Sequence, residues 1–201
     1  MRAEHLQGRA RRRFRVTTTT DPTATPAPNS LAQAFDVPQL NQVWAGDITA
    51  VPTLEGWVFL AVLLDLCSRR VVGWAIDGTM DTALVLRAWT AALARRGHPP
   101  RLHHSDRGTQ YTSAAYQAAL RAHGVQCSMS RRGNCYDNAM VESFFRTLKL
   151  DLAERPLWAT RQEARDVIAE YIERFYNPRR LHSSLAYRSP AEFEQHLTPA
   201  A

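Results

Sequence analysis

Regular hydrophobic patterning starts near residue 41. From Val43 to Val51 the chain is mainly apolar, broken by Asp47 and Thr49, which predicts a strand. Glu55-Gly56 marks a turn. Residues 57–66 are an almost unbroken apolar run, as in a central strand covered on both faces. A polar turn at Ser68–Arg70 leads to a third strand, Val71–Ile76, so the three strands predict an antiparallel meander. Leu84, Ala88, Ala91 and Ala92 then recur at helical spacing between Thr82 and Arg96, with Gly97 as the stop. Residues 101–105 form a short strand that runs into Asp106. Residues 113–123 form a helix ended by Gly124, and 125–129 a fifth strand. After a polar loop, 130–137, a long helix is expected from Asn138 to about Ala153. Val141, Phe144, Phe145, Leu148 and Leu152 form its apolar stripe. The last helix opens at a capping box, Thr160-Arg-Gln-Glu163. It carries Ala164, Val167, Ile168, Tyr171, Ile172 and Phe175 on one face and ends at Asn177-Pro178.

Three antiparallel strands, then helix–strand–helix–strand, then helices, predict an α/β domain with a five-stranded mixed sheet and helices on both faces. That is the ribonuclease H-like order. Residues 17–40 have the Thr- and Pro-rich composition of a linker. The expected division is therefore a disordered basic arm and linker over 1–40 and a core with a C-terminal helical extension over 41–201. Six arginines (Arg2, Arg9, Arg11, Arg12, Arg13, Arg15) against the single acid Glu4 supply most of the formal charge of +6. The basic character thus belongs to the arm, which reads either as a phosphate-binding tail or as a solvated end.

No stretch approaches the roughly 18 apolar residues of a membrane span, and no apolar segment follows the N-terminal arginines as a secretory signal would require. The expected location is the cytoplasm. Three cysteines, Cys67, Cys127 and Cys135, form no C-x-x-C pair, and an odd count suits a reducing compartment. Cys127 and Cys135 with His123 match no common zinc spacing.

Three carboxylates stand out. Asp47 lies mid-strand between apolar neighbours, where an uncompensated charge is costly. It reads as a cation ligand or as a structural hydrogen-bond acceptor. Asp106 sits where the fourth strand ends, before Arg107-Gly108, the place where open α/β sheets bind ligands; capping of the turn is the alternative. Glu142 shares a polar helix face with Asn138, Arg146 and Lys149. It reads as a ligand flanked by phosphate contacts, or as half of a salt bridge with Arg146. Asp65, at the end of the most apolar strand, poses the same question as Asp47. Two Asp and one Glu form an all-oxygen set that favours Mg²⁺ or Mn²⁺ over zinc.

The chain resembles the catalytic subunits of two-frame bacterial insertion-sequence transposases and, more distantly, retroviral integrase cores. The resemblance rests on Trp44-Ala-Gly-Asp-Ile-Thr49, Leu63-Leu-Asp-Leu-Cys-Ser-Arg-Arg-Val-Val-Gly-Trp74 and His104-Ser-Asp-Arg-Gly-Thr-Gln-Tyr111. It continues through Ser130 to Lys149 and through Tyr176-Asn-Pro-Arg-Arg-Leu-His-Ser-Ser-Leu185. Asp106 and Glu142 are separated by 35 residues, the family's spacing. The resemblance implies that Asp47, Asp106 and Glu142 are a catalytic triad holding two Mg²⁺ or Mn²⁺ ions. It gives Asp65 and Asn138 supporting roles and makes Lys149 a DNA contact, with Arg146, Arg131 and Arg132 as further candidates. It implies hydrolysis at a transposon end, then attack of the freed 3′-OH on a target. The expected partners are DNA, further copies of the chain in a synaptic complex and an upstream-frame DNA-binding subunit, with the protein at the bacterial nucleoid. Family members carry a helix-turn-helix-like segment before the core, and Met1 falls in what looks like its arginine-rich tail, as in a truncated copy. The competing readings are a nuclease that only hydrolyses and a non-catalytic DNA-binding remnant.

Overall fold

A computed structural model of the chain describes residues 26–152 and 157–197, except for the side chain of Cys135. The arginine cluster of the expected arm lies outside the described residues.

Three strands, β1 (Val43–Thr53), β2 (Gly56–Asp65) and β3 (Val71–Asp77), form the meander. Helix α1 (Thr82–Arg96) follows, then β4 (Leu102–Ser105), a single turn α2 (Thr109–Thr112), α3 (Ala114–Ala122) and β5 (Gln126–Met129). The sheet order is β3-β2-β1-β4-β5, with β1, β4 and β5 parallel. A 3₁₀ turn at Cys135–Asn138 leads into α4 (Ala139–Asp151), and α5 (Arg161–Glu170) runs on into a π-helical turn, Tyr171–Tyr176. A last helix, α6 (Pro190–Leu197), closes the described chain. No helix among the described residues is long and apolar enough to cross a membrane.

Each face of the sheet buries its own core. On one face Val58, Leu60, Val62 and Leu64 pack against Phe144, Phe145 and Leu148 of α4 and Ala164 and Ile168 of α5. On the other, Trp44, Ala61 and Leu63 pack against Leu84, Trp89 and Ala92 of α1 and Tyr116 and Leu120 of α3. The period-2 alternation of β2 supplies both cores at once, which is why its sequence is apolar throughout. Helix α1 lies so close to β3 that a Cβ on Gly73 would stand 2.4 Å from the Ala88 carbonyl oxygen. Asp81 caps its start by accepting from the Leu84 N–H at 2.9 Å, and Gly97 ends it at φ 74°, in the left-handed region.

Three expectations need correction. The stretch before Asn41 is not all linker. Leu31 is buried in the α4-side core, and the Ser30 and Leu31 N–H groups donate to Ser128 Oγ on β5. One apolar anchor and two backbone donors dock a segment whose composition reads as loop. Second, the helix that opens at Thr160, α5, does not keep its register to the end. The wide turn, with the Asn177 N–H bonded to the Ile172 carbonyl at 3.1 Å, rotates Tyr176 into the core and leaves Phe175 exposed. Third, α6 was not expected, although Ser189-Pro-Ala-Glu192 is a capping box with proline at the first helical position. Glu194 of α6 is buried and accepts from Arg70 at 2.6 Å, from Ser68 Oγ at 2.7 Å and from Arg96, tying the helix to the β2–β3 turn and the end of α1.

Candidate active site

The acidic site forms where β1 and β4 separate. Their parallel ladder runs Ala45↔His104 and Gly46↔Ser105 and then stops. The next residues on the two strands are Asp47 and Asp106, so the register sets the two carboxylates side by side. Asp47 pairs across to Val62, whose side chain lies in the α4-side core, so it faces the same helix. Its Oδ1 accepts from the Ile48 N–H at 2.8 Å. Asp106 leaves the strand and accepts from the Gly108 N–H at 2.9 Å. A Cβ on Gly108 would lie 3.0 Å from that carboxylate oxygen, so the turn has little room for a side chain.

Helix α4 brings the third carboxylate. Glu142 lies in its first turn, exposed, where the helix dipole favours negative charge. Asn138 precedes the helix but makes no side-chain cap. Its Nδ2 donates to the Gly46 carbonyl at 3.2 Å, which staples the start of α4 to β1 one residue before Asp47. Asn138 Oδ1 is buried with no hydrogen-bond partner.

The electrostatics match this geometry. Burial pushes Asp47 up to about 8; the Asp106 charge adds to this, as does Glu142, against the Ile48 N–H and Lys149. Burial also raises Asp106 and Glu142. A carboxyl group that keeps its proton near neutral pH because acids surround it is a group that a cation would ionise. Among the described residues, no three acid, histidine or cysteine side chains already form a ready-made cage. Asp106 and Glu142 are both near enough for their charges to raise Asp47, Asp106 more than Glu142. Among the described residues Glu142 makes no ion pair with Arg146, so the salt-bridge alternative is not realised.

The other candidates separate into two groups. Lys149 and Arg146 are exposed on α4, on the turns that follow Glu142, and Lys149 is near enough to lower Asp47. Arg132 is exposed in the loop. Arg131 is instead committed to Asp137, with Nε at 3.0 Å, Nη2 at 2.8 Å and its own N–H at 2.8 Å. Asp137 is fully buried and also accepts from Gln33 Nε2. The Arg131 side-chain bond holds its carboxyl well below the usual range, against the cost of burial. Asp65 is not near the acidic pair. It lies opposite Trp44, at the start of β1 three residues before Asp47, and accepts from the N–H groups of Asn41, Cys67 and Ser68. It is a turn anchor.

One supporting device had no signal in spacing. Ser128 Oγ accepts from the Ser30 and Leu31 N–H groups, so its proton points to His104 Nδ1 at 2.9 Å. His104 then carries its proton on Nε2, facing Ser130 Oγ at 3.2 Å, which donates to the Ser105 carbonyl. Burial lowers His104 to about 4, so the ring is neutral. This chain fixes β4 immediately before Asp106. Of the two described thiols, burial raises Cys67 to about 11, and raises Cys127 too, whose sulfur accepts from Gln117 at 3.3 Å.

Residues 38–135 match the family model described as integrase core domain, and residues 123–190 match a second model of the same description. The transposase for insertion sequence element IS904 of Lactococcus lactis subsp. lactis (strain IL1403) is 46% identical over 170 residues, 84% of this chain and 67% of that one. Transposase InsF for insertion sequence IS3A of Escherichia coli (strain K12) is 42% identical over 195 residues, covering 96% and 68%. Among solved structures, the simian T-cell lymphotropic virus intasome in complex with PP2A regulatory subunit B56 gamma aligns at TM-score 0.64 and 17% identity, covering 90% of this chain and 64% of that one. The trimeric form of the HTLV-2 integrase catalytic core domain in complex with magnesium aligns at 0.56 and 17%, covering 76% and 95%. The viral likenesses carry the ribonuclease H-like fold, and the bacterial ones carry the family: the chain belongs to the insertion-sequence transposases of the IS3 and IS904 kind, enzymes of the polynucleotidyl transferase type built on an integrase core.

Proposed function

We propose that Asp47, Asp106 and Glu142 are the catalytic triad of this transposase and together hold divalent cations, Mg²⁺ or Mn²⁺, two to a site. The observation that carries this is the β1–β4 register, whose last pair, Gly46↔Ser105, sets the two following aspartates side by side where Asn138 ties the start of α4 to Gly46. The all-oxygen donor set and the raised Asp47 fit a hard cation. Bound there, the metal would activate the attacking oxygen and stabilise the leaving one on the scissile phosphate.

The protein's own residues supply the frame. Asp47 and Asp106 are held by sheet register and by the Ile48 and Gly108 N–H groups. Glu142 joins them by a side-chain rotation at the start of α4. Asn138 fixes the distance between that helix and β1, and Arg131 with Asp137 holds the loop before it. Lys149, Arg146 and Arg132 offer charge to the DNA backbone, which positions the substrate without reading its sequence. The nucleophile is water for cleavage and a DNA 3′-OH for joining, so no protein side chain is covalently engaged. The partners are transposon-end and target DNA, further copies of the chain in a synaptic complex, and an upstream-frame subunit. A DNA substrate would place the work at the nucleoid.

The test is a cleavage and joining assay with Mg²⁺ and labelled duplexes. Glu142→Gln is expected to abolish both reactions while the melting curve stays cooperative. Cleavage retained by the purified variant overturns the triad. Cleavage without joined products, when free 3′-OH ends are supplied, favours a hydrolysis-only nuclease.

A further inference from the structure

A second site lies on the flank of α4. A cavity of about 400 Å³ opens between Ser143 and Thr147 of that helix, the π-turn at Tyr176 and the loop 180–187. Its charged lining is of one sign. Arg69 and Arg180 border it, His182 stands beside them, and no Asp or Glu among the described residues lines it.

Arg69 is the telling residue. It sits in the β2–β3 turn at φ 61°, a left-handed backbone that is uncommon for a residue other than glycine. Its Nη2 donates to the Phe35 carbonyl at 3.3 Å, but its Nε and Nη1 are buried with no partner. The neighbouring carboxylate, Asp65, already accepts from three backbone N–H groups. Unpaired N–H groups of a buried guanidinium are expensive to leave without an acceptor.

Arg180 is poised rather than paired. Its guanidinium lies over the Tyr176 ring at 5.8 Å, with Nη2 at 3.4 Å from Thr147 Oγ1, and it makes no salt bridge among the described residues. His182, edge-on to the same ring, is kept neutral by burial and by the two arginines. Two guanidinium groups with hydroxyls around them form a receptor for a tetrahedral oxyanion.

We propose that this cavity seats one backbone phosphate of the DNA, gripped by Arg69 and Arg180 with Ser143 and Thr147 as hydroxyl donors. The choice of DNA rests on the function proposed above, because Ser143 directly follows Glu142 and one duplex lying along α4 reaches both. The rim fits a large ligand, with Leu181 57% exposed and Tyr187 73% exposed. Arg69, Arg180 and Thr147 are therefore positioning residues, which hold the duplex while the acids act.

The experiment measures binding of a fluorescent DNA duplex by anisotropy across a salt series, without metal. Arg180→Gln is expected to lower the slope of log K against log salt by about one unit, as loss of one phosphate contact does. Arg174→Gln, exposed and outside the cavity, is expected to leave the slope alone. Thr147→Asp, on the helix surface, places an acid in the cavity and is expected to weaken binding about tenfold or more, the scale of one charge-assisted contact. It keeps the question open to refutation if Arg180→Gln does not fold. Slopes equal to wild type for Arg180→Gln, or undiminished binding by folded Thr147→Asp, overturn the site. A melting series with inorganic phosphate separates the sources. Stabilisation by free phosphate that Arg180→Gln abolishes, with the DNA slope unchanged, would assign the cavity to a small anion and overturn the DNA assignment. The two proposals fail separately. Active cleavage with an unchanged Arg180→Gln slope removes only this site, and a lost slope in a protein that never cleaves removes only the triad.

Discussion

Asp47 is a carboxyl group placed where its charge is least welcome. Its ordinary value of 3.8 rises to about 8, first through burial and then through Asp106. A carboxylate raised on folding binds more protons in the folded state than in the unfolded state between those two values. Its contribution to stability is therefore full below about pH 3.8, declines as pH rises, and is gone above about 8. Asp47→Asn removes that decline. In metal-free buffer at pH 8 it is expected to raise the melting temperature, by about 2–4 °C for each kcal/mol of relief. Mg²⁺ should then stabilise the wild type and not the variant. An Asp47→Asn protein that melts lower than wild type in chelator would show that the carboxylate serves the fold rather than a cation. Lys149 belongs to the same scale: Lys149→Ala is expected to reduce the salt slope of DNA binding by about one unit, read by anisotropy. Asp47 and Glu142 were legible as single residues, because a polar residue in an apolar strand and an acid on a basic helix face are visible in one dimension. Asp65 was ambiguous for the same reason. Its role depends on three backbone donors brought by the fold.

Elements decide how far the carboxylates can stray. Helix α1 sits on Gly73 and Helix α4 is tied to β1 through Asn138, so each face of the sheet has a fixed partner. Gly73→Ala pushes a methyl group into the Ala88 carbonyl and the Ala92 side chain. Overpacking of this kind is expected to cost about 1–3 kcal/mol, measured by urea denaturation, with the acidic site's metal response retained. The meander and the α4 stripe could be read from the sequence because period 2 and period 3.6 are local signals. The π-turn at Tyr171–Tyr176 could not, since the apolar spacing continues to Phe175 as though the helix were regular. What breaks the period is tertiary: Tyr176 packs edge-on against Phe144 at 4.7 Å, and Asn177 bonds both the N–H and the carbonyl of Val71 on the edge strand β3. Arg131 was read as a phosphate contact because its partner, Asp137, is six residues away in a loop with no periodicity.

Across the molecule, a buried acid, Glu194, ties α6 to the β2–β3 turn and the end of α1. Burial raises Glu194, but Arg96, Ser68 and Arg70 outweigh it, so the folded value lies below the ordinary 4.5. Stability from this cluster is full above about pH 4.5 and is lost as pH falls through the lower folded value. Glu194→Ala leaves Arg96 and Arg70 without their acceptor and is expected to cost about 3–5 kcal/mol, as a broken buried pair does. Thermal melting at pH 7 and pH 4 checks both statements: the variant should lose most at pH 7, and its deficit should shrink in acid. The five-stranded order was legible because strand and helix signals alternate in one sequence of types. The docking of residues 28–35 and of α6 was not, because each rests on contacts with residues about a hundred positions away. Asp47 on β1, Asp106 just after β4 and Glu142 on α4 are proposed to share metal beside DNA. Crystals grown with a DNA duplex and soaked in Mn²⁺ test it through anomalous scattering. The expected result is density bridging Asp47 and Asp106, with Glu142 turned in to within about 2.0–2.3 Å of a metal ion. Manganese bound elsewhere, or bound at the aspartates with Glu142 still facing solvent, would contradict it.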